Sequence, residues 1–469
     1  MDEFLSRIAD INGAINGVVW GIPMMILIIG TGLYLSARTG FLQFRKFGYA
    51  MKNTVGKIFK KSDAEKGSIT PFQALTTALA ATVGTGNIAG VTGAIALGGP
   101  GAIFWMWISA LVGMVTKYSE ILLAVKFRER NADGDWVGGP MYYIKNGLGK
   151  NWRWLAVIFS VFGALAAFGI GNIAQANTIA GSVNSAIQAF NPAAVESVRT
   201  INIVIGIICA VFVGAVLLGG LTRIGKVTEK LVPFMSIVYI IGALTVVFSN
   251  ASSIGTVFKS IFVGAFNPDA VMGGAVGVGI MQAVKMGVGR GVFSNEAGLG
   301  SAPIAHAATS ETDPVKQGLF GIFEVFIDTI VICTLTALAV LCSGVAIDYG
   351  TKAGAELTIG AFAVAFGGKT AGIIVAVGIT LFALSTMLSW SLYGTRCAEF
   401  LFGSKSNKIY QVLFIIVVVM GATMDLGLAW DISDTLNGLM AIPNLIALVG
   451  LSGVIFTATK EYFKKDRLK

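Results

Sequence analysis

Fifty consecutive residues, from Gly67 to Thr116, carry no charged side chain. A helix needs only about 20 apolar residues to cross a bilayer, so this run is long enough for two crossings. Gly98-Gly99-Pro100-Gly101 in its middle supplies the turn between them. Further uncharged gaps lie between Asp10 and Arg38, Arg153 and Glu196, Arg199 and Arg223, Lys230 and Lys259, Lys369 and Arg396, and Asp434 and Lys460. Apolar runs at 317–347 and 409–426 add two more spans. The stretch near 269–297 is apolar and Gly-rich but contains Lys285 and Arg290, which suits a broken helix better than a lipid-facing one. The expectation is an all-α polytopic membrane protein of about eleven transmembrane helices. Composition agrees, because only 13% of residues are charged where soluble domains run near about 25%. The 60 glycines show no collagen period and point to closely packed or broken membrane helices. Cys209, Cys333, Cys342 and Cys397 lie in apolar surroundings without CxxC spacing, so neither a disulfide framework nor a zinc site is expected.

Lysine and arginine counts in the loops set the orientation. Twenty-six fall on one face, eight of them within 37–68, against five on the other (Arg7, Arg199, Lys259, Lys352 and Lys369). This predicts an N-terminus outside the cell, a cytoplasmic C-terminus and an odd number of crossings. The formal net charge of +9 reflects that inner excess and gives no evidence for nucleic-acid binding. A basic segment at 41–61, with Phe44 and Phe47, is expected to lie on the cytoplasmic membrane surface. The start, Met1-Asp2-Glu3, lacks a basic leader, so no cleavable signal peptide is expected.

Two glycine-dense segments stand out. Ala80-Ala-Thr-Val-Gly-Thr-Gly-Asn-Ile-Ala-Gly90 sits halfway along the second hydrophobic span. Its Gly84-x-Gly86-x-x-Ala89 imitates a dinucleotide fingerprint, but a real one needs a preceding strand and an acidic residue about 20 positions on, where this chain has Met106. Two readings remain, tight helix packing through small residues or an unwound helix lining a polar cavity. Five helices later, Met286-Gly-Val-Gly-Arg-Gly291 offers a second candidate break. Paired interruptions at matching positions of two halves point to an inverted-repeat transporter. The second to sixth helices form one half, the seventh to eleventh the other, and the first is an added outer helix. The corresponding boundaries are 1–68 for the extra helix and amphipathic segment, 69–249 and 250–456 for the repeats, and 457–469 for the tail.

Gly84-Thr-Gly-Asn-Ile-Ala-Gly90, Gly138-Gly-Pro-Met-Tyr-Tyr143 and Ser294-Asn-Glu-Ala-Gly-Leu-Gly-Ser-Ala-Pro-Ile-Ala-His306 resemble the amino acid:cation symporters that carry alanine or glycine with sodium. The resemblance extends over roughly residues 15–455. It implies the leucine-transporter-like fold, Na⁺ as coupling ion and a small neutral amino acid as cargo, with no organic cofactor. By the same resemblance, Na⁺ is expected at Ala80, Val83, Phe382, Ser385 and Thr386, a set of hard oxygen ligands. Asn87 matches a side-chain ligand of the fold's other sodium site, whose expected hydroxyl falls near position 285, where Lys285 or Met286 stands. Substrate contacts are expected from Thr82, Gly84, Thr85, Gly86, Phe168, Gln175, Gln282, Gly287 and Thr386. Without the resemblance, Ser385 and Thr386 can equally back-bond to their own helix, and Gln175, like Asn172, can serve as interhelical glue.

Several charges lie deep in the spans. Glu120 is expected either to pair with Lys117 at i, i+3 or to brace the second break near Gly287–Gly291. Glu324 and Asp328, one turn apart, share a helix face and are expected to pair with Lys285 or Arg290, to gate, or to hold a cation. Trp390 is expected in the core or facing lipid. There is no nucleophile elbow, no metal motif, and the single histidine, His306, has no serine partner, so an enzyme is disfavoured. The reading is a Na⁺-driven symporter of alanine or glycine in the cell membrane, acting as a monomer by alternating access. A channel, or a symporter of another small amino acid, stays open as an alternative.

Overall fold

The computed structural model describes residues 2–58, 64–272, 279–424 and 427–466. Among them nine helices are long and apolar enough to cross a membrane, or ten when the bent pair Pro71–Thr82 and Thr85–Gly98 counts as one span. The span expected near 269–297 is a 16-residue helix, Ile280–Asn295, below that length; residues 273–278 lie outside the described residues. The described residues are all-α apart from a two-residue-per-strand hairpin, Glu129–Arg130 with Trp136–Val137.

The bent span begins where Thr70-Pro71-x-Gln73 writes a capping box. The Thr70 hydroxyl accepts from Gln73 N at 3.1 Å, and the Gln73 side chain accepts from Thr70 N at 3.1 Å. Proline at the first helical position needs no N–H partner there. The Gly101–Lys126 helix is the central post, touching Ile280–Asn295 on one side and Pro314–Val325 on another. Ala174–Phe190 lies along Gly368–Phe402, and Val198–Leu217 along Ser406–Thr423. On the Val198–Leu217 helix, Val204, Ile207, Ile208 and Val211 face outward. An outward apolar stripe on a helix whose backbone is satisfied internally is what a lipid solvent demands.

The 41–61 segment forms two helices, Leu42–Arg45 and Phe47–Ile58. Phe44 is exposed, whereas Phe47 packs edge-on against Phe326 at 5.0 Å and ties the segment to the bundle. Lys60 and Lys61 lie outside the described residues. Three loops that the charge count assigns to one face meet at the 127–137 hairpin. Arg128 donates to Ala307 O, Thr309 O and Glu311 O at 3.1, 2.6 and 3.0 Å. Arg396 pairs with Asp135 at 3.0 Å and Glu399 at 2.6 Å. Burial lowers the Arg128 guanidinium to about 10, still charged at neutral pH.

Candidate functional site

The first interruption falls where the glycines of the Ala80–Gly90 segment are. Helix Pro71–Thr82 ends, a single 3₁₀ turn occupies Thr85–Asn87, and the second half leaves at 55°. Asn87 explains the stop: its Oδ1 accepts from Gly84 N at 2.7 Å, replacing a helical carbonyl. The hydroxyls of the Gly368–Phe402 helix close on the freed end. Ser385 Oγ and Thr386 Oγ1 approach Ala80 O at 3.3 and 3.1 Å and their own Phe382 O at 2.8 and 2.9 Å. Ala80, Val83, Phe382, Ser385 and Thr386 are all buried. Two carbonyls and two hydroxyls thus converge, a donor set suited to a hard monovalent or divalent cation. The hydroxyls bond both to their own helix and to the break, so helix back-bonding accounts for only half of their contacts.

The second interruption is not at Met286–Gly291. That stretch is helical throughout, and Gly287 and Gly291 serve close packing, while Gly289 borders open space. A Cβ on Gly287 would stand 2.3 Å from Ala102 O, and one on Gly291 2.5 Å from Ser109 Oγ. The unwinding comes after Asn295, where Glu296 (φ 54), Gly298 (φ 94) and Gly300 (φ 84) take left-handed or otherwise positive-φ conformations before Ala302–His306 resumes the helix. Glycine has no Cβ penalty there. Glu120 does brace this break, one segment later than expected. Its Oε1 accepts from Gly298 N at 3.0 Å and from Asn444 Nδ2 at 2.5 Å, while Asn444 also donates to Gly298 O at 2.9 Å. Glu296 accepts from Trp390 Nε1 at 3.1 Å and from the Ser301 hydroxyl. Trp390 is therefore a core residue that fastens Gly368–Phe402 to the break.

The shifted break also moves the hydroxyl expected near Lys285 or Met286. Ser294 Oγ donates to Asp328 Oδ2 at 2.9 Å, and Asn87 Nδ2 donates to Asp328 Oδ1 at 2.7 Å. Thr329 adds a hydroxyl to Asp328 Oδ2 at 2.8 Å, and Asn295 Nδ2 reaches that hydroxyl at 3.0 Å. Asp328 thus bridges both interruptions from inside a π-helical stretch, Phe326–Cys333. Its neighbour Glu324 pairs with Lys117 at 3.3 Å and His306 at 3.2 Å, all without solvent exposure, and Gln317 holds the other histidine nitrogen at 2.8 Å. Neither acid pairs with Lys285 or Arg290, and the ion pair of Lys117 is with Glu324, across helices, instead of with Glu120 along its own. Ser294 and Asn444 are not among the ligands or braces expected from sequence, whereas Asp328, expected to pair, to gate or to hold a cation, stands between the two breaks. The signal available was Glu296-Ala-Gly298-Leu-Gly300, two glycines behind an acid.

A model of the sodium:alanine symporter family matches residues 5–469. The chain belongs to that family. The sodium/alanine symporter AgcS of Methanococcus maripaludis is 46% identical over 452 residues, covering 96% of each chain. An uncharacterized transporter of Haemophilus influenzae is 46% identical over 465 residues, covering 98% of this chain and 97% of its own. Among solved structures, an Eremococcus coleocola manganese transporter overlays with a TM-score of 0.49 at 15% identity, over 81% of this chain and 75% of that one.

For this sodium:alanine symporter family member, the fold gathers some expected substrate residues and disperses others. Thr82, Gly84, Thr85 and Gly86 line the first break, and Thr85 Oγ1 reaches Gln175 Oε1 at 3.4 Å. Gln175 Nε2 is held by Ile170 O at 3.0 Å, so its amide is aimed at the break. Thr386 stands over Gly84, 2.8 Å from where a Cβ would sit. Phe168, the last residue of helix Arg153–Phe168, instead packs its ring at a tilt against Tyr410 of Ser406–Thr423 at 4.8 Å. Gln282 lies near the start of Ile280–Asn295, 14 residues before Glu296, or roughly 20 Å by helical rise. Gly287 is spent on packing against Ala102 and Trp105. Asn172 is interhelical glue, donating to Phe414 O at 2.7 Å.

Proposed function

We propose that this protein couples Na⁺ entry to uptake of a small neutral amino acid, alanine or glycine, by alternating access. The observation that carries the reading is the convergence of Ser385 and Thr386 on Ala80 O at the end of a broken helix. Na⁺ there would join Gly368–Phe402 to Pro71–Thr82, and the ion's arrival would fix the geometry of Gly84–Gly86 beside it. Asn87 and Asp328 offer a second place for a cation, between the two breaks. The zwitterion's carboxylate would meet free N–H groups of the first break, with half-helix dipoles adding partial positive charge. The pairing of Gly101–Lys126 with Pro314–Val325, Ala174–Phe190 with Gly368–Phe402, and Val198–Leu217 with Ser406–Thr423 supports a five-plus-five inverted repeat over 69–249 and 250–456. The face carrying Arg128 and Arg396 is assigned to the cytoplasm, with the N-terminus outside. Uptake of radiolabelled alanine and glycine into proteoliposomes tests the reading. Saturable uptake driven by an inward Na⁺ gradient, and lost when the gradient is collapsed, is expected. Uptake indifferent to Na⁺, or conductance without saturation, would defeat it in favour of a channel.

A further inference from the structure

Outside Phe293 lies a cavity of about 200 Å³ that also touches the N-terminal helix Asp2–Val19 and its neighbouring Trp20. Lys285 and Arg290 reach it from Ile280–Asn295, and Asp434 from Gly427–Gly450. Neither cation makes an ion pair within 4.0 Å among the described residues. Arg290 instead rests over the Phe293 ring at 5.7 Å. Asp434 is fixed from the other side, accepting from Asn16 Nδ2 at 3.0 Å on Oδ2 and from Trp20 Nε1 at 3.2 Å on its carbonyl. Trp20 closes edge-on over Phe293 at 6.4 Å. On its far side Phe293 is the nearest side chain to Gly86, 3.5 Å from where a Cβ would sit, so the ring separates this cavity from the first break.

We infer that this cavity is an outer waiting site for a zwitterionic amino acid, read by side-chain charges, whereas the inner site is read by backbone. Two partly buried cations line the cavity against the single carboxylate of Asp434, with no ion pair between them, so the excess positive charge favours an anionic group while Asp434 favours an ammonium. A small amino acid presents both, and the volume admits one of that size. The residue pair Lys285 and Arg290 thereby has a use that does not place a cation beside the Na⁺ oxygens. Asp2–Val19, outside the expected repeats, is the wall that holds the acid in place through Asn16. The inference rests on the symport reading for the identity of the cargo.

Equilibrium binding of radiolabelled alanine to the purified full-length protein in lipid nanodiscs, at saturating Na⁺, tests it. Two equivalents are expected for the wild type, and only one, Na⁺-dependent, for Arg290→Gln and for Asp434→Asn. That retained equivalent also reports that the variants are folded. Asn16→Ala should weaken the outer equivalent about tenfold by loosening Asp434, and Gly86→Leu should leave the outer equivalent alone, without Na⁺ dependence. One equivalent in the wild type, unaltered by either charge substitution, overturns the inference, as does loss of both equivalents in both charge variants. Retention of an Arg290-dependent equivalent with no Na⁺-dependent binding in the wild type would support the outer site and sink the symport reading instead.

Discussion

Thr386 makes two hydrogen bonds that a cation would replace, to Ala80 O and Phe382 O. Thr386→Ala is expected to raise the Na⁺ concentration for half-maximal uptake by about tenfold, the worth of one well-placed polar ligand, with thermal stability nearly unchanged. A sodium titration of uptake checks this, and an unmoved half-saturation in a folded variant removes Thr386 from the ion's shell. The neighbouring glycines separate by the space around them. Gly84→Ala would push a methyl to 2.8 Å from Thr386 Oγ1 and should abolish Na⁺-dependent uptake, whereas Gly86→Ala meets Phe293 at an ordinary 3.5 Å and should retain it. Asp328→Asn keeps an oxygen for Asn87 but removes the negative charge between the breaks. A drop in the Hill slope for Na⁺ is expected, and an unchanged slope would reduce Asp328 to a structural hydrogen-bond acceptor. Asn87 was legible in sequence from its motif. Its pairing with Asp328, which also accepts from Ser294, was not, because 241 residues separate Asn87 from Asp328 and only the fold sets them side by side.

At the level of elements, both breaks contain glycine, and glycine density alone could not tell unwinding from close packing. The first break was legible because Gly84 and Gly86 come with Asn87, a side chain able to cap the freed N–H. Gly287 and Gly291 recur at helical i, i+4 spacing, which is the pattern of a packed face, and the helix duly runs through them. The true second break lies at Gly298-x-Gly300, where the backbone has positive φ and Glu120 waits with an acceptor. Two mutations separate these roles. Glu120→Ala orphans Gly298 N–H and one of the two N–H groups of the Asn444 amide in a dry interior, a cost of about 3 kcal/mol, so the thermal unfolding temperature in detergent should fall sharply along with uptake. Gly287→Val drives a side chain into the Ala102 carbonyl and should destabilise by about 2 kcal/mol through overpacking, yet leave the sodium half-saturation of the surviving folded protein unmoved. A shift in that half-saturation for Gly287→Val would mean that Ile280–Asn295 contributes to the ion site near its middle after all.

Across the whole molecule the two faces are closed by unequal means. The hairpin face is tied by buried or half-buried charges: Arg128 on three carbonyls of 307–311, and Arg396 on Asp135 and Glu399. On the opposite face the Asn16–Asp434 hydrogen bond and the Trp20–Phe293 ring contact close over a cavity, and Thr92 Oγ1 donates to Gly354 O at 2.7 Å. A bundle of many apolar spans was legible from charge-free runs, although the eleven expected compare with nine or ten among the described residues, and this asymmetry was not, because Asp135 and Arg396 are 261 residues apart and both read in sequence as ordinary loop charges. Under the proposed alternating access the hairpin ties must break in the state that opens toward that face, so weakening them should shift the population toward it. Asp135→Asn removes one charged hydrogen bond while Glu399 keeps Arg396 neutralised, a change of about 1.5 kcal/mol, or close to tenfold in the conformational equilibrium. Ser391 reports the outcome, since it is buried at 1% exposure beside Asp135 and Arg396 in a cavity of about 130 Å³. The four native cysteines are buried, which leaves a Ser391→Cys thiol as the informative target. In inside-out vesicles, which expose the hairpin face under the proposed orientation, a membrane-impermeant alkylating reagent should label Ser391→Cys about tenfold faster when Asp135→Asn is added, and Na⁺ with alanine should alter that rate. Equal labelling with and without Asp135→Asn would mean that the hairpin ties stay intact throughout transport and that the gate on this face lies elsewhere.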